Sequence, residues 1–342
     1  MKIKTRVLPA DEAGVAEAAQ LLRQGQLVAL PTETVYGIAA DARNGAAVRD
    51  IFVAKGRPQD NPLIVHVTGP EMLPGLVSEV PERAQLLMAA FCPGPLTIIM
   101  PRGPEVADEC CAGLDTVGIR MPSHPVARAV IQQSGCAFAA PSANLSGKPS
   151  PTTAAHVFED MDGRIPLILD GGPCRVGLES TVVDATHGHI ILLRPGGVTR
   201  EMLEEALGEE VALGKGVMEP LADGEKALSP GLKHKHYAPK AEVKVVLGPD
   251  DLRAQYILDS AAKDARPCVL CLEGRRGLYP GLTVLSAGNT PEDYAHNLFA
   301  ALRHADEIGC TQVYAEGLSL EGVGLAVMNR VERAAGFHVI QL

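Results

Sequence analysis

Eight short apolar runs, each separated from the next by turn residues, set the limits on what the first part of this chain can become. They are Leu27 to Leu30, Leu63 to Val67, Leu96 to Met100, Val117 to Met121, Cys136 to Ala140, Pro166 to Leu169, Thr181 to Val183 and Ile190 to Leu193. Runs of this length are too short for helices and match strands buried on both faces. Helical spacing intervenes. Asp11 to Gln24 places Val15, Ala18, Ala19 and Leu22 on one face, with Asp11 as N-cap and Gly25 as stop. Similar patterns cover Ala46 to Ala54, Glu82 to Phe91, Pro125 to Gln133, Thr153 to Phe158 and Arg200 to Leu207. Interleaved strands and helices predict a mixed α/β domain over residues 1–208.

With 342 residues the chain exceeds one hydrophobic core, since a domain averages roughly 150 residues. The pattern lapses into Gly, Pro and charge at 209–241, which reads as a linker. Its end, SPGLKHKHYAP at Ser229 to Pro239, packs Lys233, His234, Lys235, His236 and Tyr237 between prolines, a composition suited to lying against an anion. Beyond it, runs at Val243 to Leu247, Pro267 to Leu272, Leu282 to Leu285 and Gln312 to Ala315 alternate with helical patterns at Asp250 to Lys263, Thr290 to Ile308 and Gly322 to Ala335. That is the βαβ alternation of a small Rossmann-like parallel-sheet domain over 242–342. No G-x-G-x-x-G occurs there, so nothing points to a dinucleotide.

A formal charge of -10, from 31 Lys plus Arg against 41 Asp plus Glu, excludes a whole-chain basic field for nonspecific nucleic-acid binding. No apolar run reaches the ~18 residues of a membrane span, and Met1 to Arg6 lacks the apolar stretch of a signal peptide, so a cytoplasmic location is expected. Eight scattered cysteines are expected to be reduced and buried rather than a disulfide framework. The CVLC at Cys268 to Cys271 has redox spacing but lies in a strand pattern. Cys110 and Cys111 have no partnering CxxC or His cluster for zinc, and His234 and His236 lack a third ligand.

Polar residues at the ends of the apolar runs carry the chemistry. KGRPQDNPL at Lys55 to Leu63 sets Lys55 and Arg57 on either side of a glycine, so both can reach one polyanion, Arg57 with two prongs and Lys55 as a compact charge. A solvated surface turn would look the same by composition. PTETVYG at Pro31 to Gly37 puts Thr32, Glu33 and Thr34 at the carboxyl end of a strand, and PSANLSG at Pro141 to Gly147 does so with Ser142, Asn144 and Ser146. That is where α/β proteins place ligands, although the hydroxyls could equally cap turns. GLESTVVD at Gly177 to Asp184 and LLRPGG at Leu192 to Gly197 repeat the arrangement, and five such junctions argue for a shared site. His66 alone in LIVHV would ordinarily be a hydrogen-bonded core residue. No nucleophile elbow or Walker GxxxxGK[ST] is present, so covalent catalysis has little support.

Together, PTETVYG, KGRP with NPL, PSANLSG, GLESTVVD, LLRPGG and SPGLKHKHYAP resemble, in order and over nearly the whole chain, the threonylcarbamoyl-AMP synthase family in its long form: a YrdC-like domain followed by a C-terminal accessory domain. The resemblance implies a nucleotidyltransferase that condenses L-threonine, bicarbonate and ATP, with Mg²⁺ carried by ATP, to threonylcarbamoyl-adenylate and pyrophosphate. The product serves tRNA threonylcarbamoyladenosine modification through a downstream threonylcarbamoyl transferase, so tRNA is met only indirectly. It also implies a twisted mixed sheet with a large concave cavity. By motif, Thr34, His66, Arg120 and Ser180 would hold threonine. Arg57, Asn61, Thr116, Ser142, Asn144, Ser150, Arg194 and Tyr237 would contact ATP, with Lys55, Arg57 and Arg194 as the catalytic cations and no metal held by protein side chains. Asn61 offers a neutral amide where many relatives carry lysine, and the linker would close as a lid over the nucleotide. Two rival readings are an RNA-binding module, against which the net acidity argues, and carbamoyl transfer through a carbamoyl-adenylate, whose known carriers add zinc-finger and acylphosphatase modules absent from this sequence.

Overall fold

A computed structural model of the chain describes residues 3–219, 229 and 236–342. Two compact units emerge: Met1–Ser146, Ser150–Arg175 and Glu179–Lys233 form the first, and Gly147–Pro149, Val176–Leu178 and His234–Leu342 the second.

In the first unit the chain runs β1 (Arg6–Pro9), α1 (Glu12–Arg23), β2 (Val28–Leu30), β3 (Gly37–Asp41), α2 (Gly45–Lys55), β4 (Ile64–His66), α3 (Glu82–Phe91), β5 (Leu96–Pro101), α4 (Asp108–Cys111), β6 (Thr116–Arg120), α5 (Pro125–Ser134), β7 (Phe138–Ala139), α6 (Ala154–Met161), β8 (Leu167–Asp170), β9 (Thr181–Asp184), β10 (Ile191–Arg194), α7 (Arg200–Leu207) and β11 (Ala212–Leu213). All eight predicted runs are strands. The sheet is mixed, in the order β1-β8-β2-β3-β7-β4-β6-β5-β9-β10-β11. Helix α1 begins where Asp11 accepts from Gly14 N–H at 2.9 Å, satisfying one of the amides orphaned at a helix start. Its apolar stripe, Val15, Ala18 and Leu22, packs with Val130 and Ile131 of α5 over Val28, Leu30, Phe138 and Leu167 of the sheet. Burial of roughly 1.5–3 kcal/mol per large aliphatic side chain there fixes the strand register, and so the positions of the loops that leave the strand ends.

The second unit continues β12 (Glu242–Leu247), α8 (Asp250–Ala261), β13 (Pro267–Cys271), β14 (Thr283–Ser286), α9 (Pro291–Glu307), β15 (Gln312–Glu316), α10 (Gly324–Ala334) and β16 (Val339–Gln341). Every pairing in its sheet is parallel, in the order β14-β13-β15-β12-β16. Strand β16 was not legible from its half-exposed FHVIQL sequence.

One expectation is overturned. Cys268 of β13 and Cys310 are joined by a disulfide with Cα atoms 6.3 Å apart, while Cys92, Cys110, Cys111, Cys136, Cys174 and Cys271 are free. The reason is topological: β13 pairs with β15, which starts two residues after Cys310. A separation of 42 residues hides that neighbourhood from the sequence. No described helix is long and apolar enough to cross a membrane.

Candidate active site

The first unit gathers the motif residues into two linked clusters. One is centred on Arg120. The pairing of β4 with β6 sets His66 opposite Arg120, and that of β6 with β5 sets Arg120 opposite Thr97, so these three side chains leave the same face of the sheet. The turn after β2 supplies the rest. The Thr32 hydroxyl meets that of Thr34 at 2.8 Å and donates to Val35 O at 2.7 Å, which folds PTETV back on itself. Glu33 thereby faces Arg120, with Oε1 and Nη2 2.9 Å apart and both side chains almost wholly buried, at 3% and 5% exposure. Arg120 Nη2 also reaches Thr32 Oγ1 at 3.5 Å, whereas its buried Nε–H finds no hydrogen-bond partner among the described residues.

The pKa shifts follow this geometry. Burial pushes the Glu33 carboxyl up, but the Arg120 guanidinium more than reverses that and holds it below the ordinary carboxylate value. Burial, reinforced by Arg120, pushes His66 down to about 3. His66 is therefore a neutral imidazole at physiological pH, a hydrogen-bonding group rather than a charge.

Thr97 extends the network away from Arg120. Its hydroxyl meets Ser180 Oγ at 2.8 Å, and Arg194, at the end of β10, donates from Nε to Ser180 O at 3.0 Å and from Nη2 to Ser180 Oγ at 3.1 Å. Gly196 makes this junction possible. A Cβ there would stand 2.4 Å from Thr181 N and 2.7 Å from Glu179 O, closer than real contacts permit, so RPGG approaches GLEST only because the side chain is missing.

The second cluster joins KGRP to PSANLSG. Helix α2 ends at Gly56, whose φ of 59° is the left-handed cap conformation that glycine adopts without penalty. That cap leaves Lys55 pointing inward, where Nζ donates to Ser142 O and, at 2.8 Å, to Asn144 O. In return Ser146 N–H donates to Lys55 O at 3.0 Å. Lys55 is thus a brace for the 141–147 loop as well as a cation. Burial lowers its pKa well below the ordinary lysine value, with Arg57 adding to the effect; an anion bound alongside would raise it again. The Arg57 guanidinium sits 5.8 Å from the Phe52 ring centroid, a stacking that orients its planar fork. Asn61 is buried, and its Oδ1 has no partner among the described residues. Ser142 bridges to Gly37, and Ser150 donates to Glu179, the residue before Ser180, which ties the two clusters together.

Thr34, His66, Arg120, Ser180 and Arg194 thus fall into one network, and Lys55, Ser142 and Asn144 into the other, joined through the Ser142–Gly37 bridge, while Ser150 is tied to the first network through Glu179. Thr116 lies at the opposite end of β6 from Arg120, on the same face by the two-residue side-chain repeat. Tyr237 belongs to the second unit, buried with its ring 5.2 Å from that of Phe299 and 5.6 Å from the Arg330 guanidinium. Half of the lid expected from Ser229 to Lys240, residues 230–235, lies outside the described residues. Sequence reasoning assigned no role to Thr97 or Glu179 and left Glu33 without one. Glu33 carried a signal, a charge between two threonines at a strand end, whereas Thr97 is a lone hydroxyl in an apolar strand.

These features define a two-domain α/β protein: a mixed-sheet unit whose polar, arginine-centred site is assembled from strand-end loops, followed by a small parallel-sheet unit. Comparison with known proteins sharpens that class. Residues 20–196 match the Sua5, YciO and YrdC family, described as "Telomere recombination", and residues 198–336 match "Threonylcarbamoyl-AMP synthase, C-terminal domain". The chain is 46% identical over 338 residues to the threonylcarbamoyl-AMP synthase of Pyrococcus abyssi, covering 97% of each, and 46% identical over 341 residues to that of Bacillus subtilis, covering 98% of this chain and 97% of the relative. The crystal structure of the Pyrococcus abyssi Sua5 protein complexed with L-threonine superposes with a TM-score of 0.91 at 44% identity, each chain fully covered. The chain belongs to the threonylcarbamoyl-AMP synthase family.

Proposed function

We propose that the first unit makes threonylcarbamoyl-AMP from L-threonine, bicarbonate and ATP, with the Arg120 network holding threonine and the Arg57, Lys55 and Arg194 cations holding the nucleotide. The chain is an enzyme of its family, a nucleotidyltransferase acting on small molecules. The observation that carries the division of labour is the buried Arg120, neutralised by Glu33 yet left with an uncommitted Nε–H beside the hydroxyls of Thr32 and Thr34. A threonine carboxylate completes that guanidinium, and the neutral His66 adds a donor or acceptor without competing for charge.

The reaction asks for no protein nucleophile. Threonine amine attacks bicarbonate to give the carbamate and water; a carbamate oxygen then attacks the α-phosphorus of ATP and pyrophosphate leaves with the electron pair of the broken P–O bond. Positioning and charge stabilisation carry the rate. Arg57 and Arg194 offset charge on the polyphosphate, and Lys55 adds a compact charge beside them, while its two carbonyl contacts keep the Ser142–Asn144 loop in place. Mg²⁺ enters with ATP. No group of three described His, Cys, Asp or Glu side chains is placed to hold an ion independently. The adenylate then passes to a downstream threonylcarbamoyl transferase acting on tRNA.

Pyrophosphate release by the purified chain, with threonine and bicarbonate omitted in turn, tests this reading. Release is expected only with both; release indifferent to threonine overturns it.

A further inference from the structure

The second unit carries a cavity of about 610 Å³ at the carboxyl ends of its parallel strands, well within the range of about 300–1,000 Å³ that small-molecule sites occupy. Its walls come from the residues that follow β12, β13 and β15. The connection leaving β12 through α8 runs to β13 on one side, and the connection leaving β15 through α10 runs to β16 on the other. The β12/β15 seam is therefore the point at which strand order reverses, and open parallel sheets bind ligands in the crevice outside it.

The side chains in this cavity are more polar than a core tolerates. Glu316, at the end of β15, is 2% exposed and is contacted by Arg275 Nε, by Arg253 Nε at 3.4 Å and by the Tyr279 hydroxyl. The two arginines are bridged a second time from the solvent side, where Asp250 Oδ1 lies 2.6 Å from Arg253 Nη2 and Asp250 Oδ2 lies 2.7 Å from Arg275 Nη1. Asp250 is itself 71% exposed, so it holds a position that a carboxylate or phosphate from solution could take. Deeper in the wall stands Tyr294, wholly buried on α9, whose hydroxyl has no hydrogen-bond partner among the described residues. Arg275 Nη2 is likewise buried and without a hydrogen-bond partner among them. Leaving such groups unsatisfied is costly, and a bound polar molecule removes the cost.

We propose that this cavity is a second small-molecule site, for an anionic metabolite whose carboxylate or phosphate displaces Asp250 from Arg253 and Arg275 and whose polar body bonds the Tyr294 hydroxyl. The site lies wholly in the second unit and does not depend on the reaction assigned to the first.

The chain has only six tyrosines, so the full-length protein labelled with ¹³C in the tyrosine rings gives a spectrum in which Tyr294 is assigned by Tyr294→Phe. It is titrated with inorganic phosphate, AMP and malonate. The Tyr294 signal is expected to shift saturably with one class of probe. Response to phosphate and AMP identifies a phosphate ligand, and response to malonate alone a carboxylate. Asp250→Asn removes the internal competitor and tightens binding about tenfold, a change of about 1.4 kcal/mol, whereas Arg275→Gln abolishes the shift. The remaining tyrosine signals report that each variant is folded, and Asp250→Asn keeps both arginines should Arg275→Gln unfold. A Tyr294 signal unmoved by millimolar levels of every probe, or unaffected affinity in Asp250→Asn, overturns the proposal.

Discussion

Replacing Glu33 by glutamine tests the heart of the site, because it changes one charge and almost no volume. Glu33 and Arg120 are 3% and 5% exposed and 2.9 Å apart, so the substitution strands a guanidinium away from water with only amide and hydroxyl oxygens around it. Removing one partner of a buried pair costs about 3–5 kcal/mol, and the retained amide oxygen places Glu33→Gln near the lower figure. For a domain of this size each kcal/mol lowers Tm by about 2–4 °C, which gives a drop of roughly 6–12 °C at neutral pH. The pH dependence has a definite sign. The folded carboxyl lies below its ordinary value of 4.5, so its stabilisation is complete above that pH and is lost as pH falls through the folded value. The gap between wild type and Glu33→Gln should therefore close in acid. Differential scanning calorimetry between pH 3 and 8 reads both effects; a variant within a degree of wild type at neutral pH, or a gap that widens in acid, refutes the reasoning.

Three further outcomes follow from the same geometry. His66, pushed from an ordinary 6.5 to about 3 in the folded chain, takes up its proton in the unfolded state first, so stability falls as pH drops below 6.5 and His66→Asn flattens that slope; an NMR titration of His66 with a midpoint near 6.5 would contradict this. Thr97→Val removes the 2.8 Å contact to Ser180 and is expected to cost about 1 kcal/mol, roughly fivefold in kcat/KM, measured by pyrophosphate release; an unchanged rate detaches Thr97 from the site. Gly196→Ala forces a methyl to within 2.4 Å of Thr181 N, so β9 and Ser180 must shift at an overpacking cost of about 1–3 kcal/mol, and an unaltered melting curve would show that the loop yields instead.

Much of the fold was legible because its signals are local. Short apolar runs bounded by turn residues mark strands, and α3 and α7 coincide with the predicted helical patterns residue for residue. Strand β3 escaped notice because GIAAD is small-residued and adjoins a motif that reads as loop, and β16 because its end of the sheet is half exposed. Site residues that sit in glycine- and proline-punctuated loops stood out by composition. Their partnerships did not, because pairing depends on register. That His66 faces Arg120, that Arg120 is neutralised by Glu33, and that Lys55 braces the Ser142 loop are consequences of strand order over separations of 54, 87 and 87 residues. The Cys268–Cys310 bond was hidden for the same reason.

The central claim is that the Arg120 and Arg57 clusters together make one particular adenylate. Incubating the purified chain with ATP, ¹³C-bicarbonate and L-threonine and resolving the products by mass spectrometry tests it directly. The account predicts an adenylate that carries both the threonine and the ¹³C label; an adenylate with the label but no threonine, or AMP alone, would contradict it.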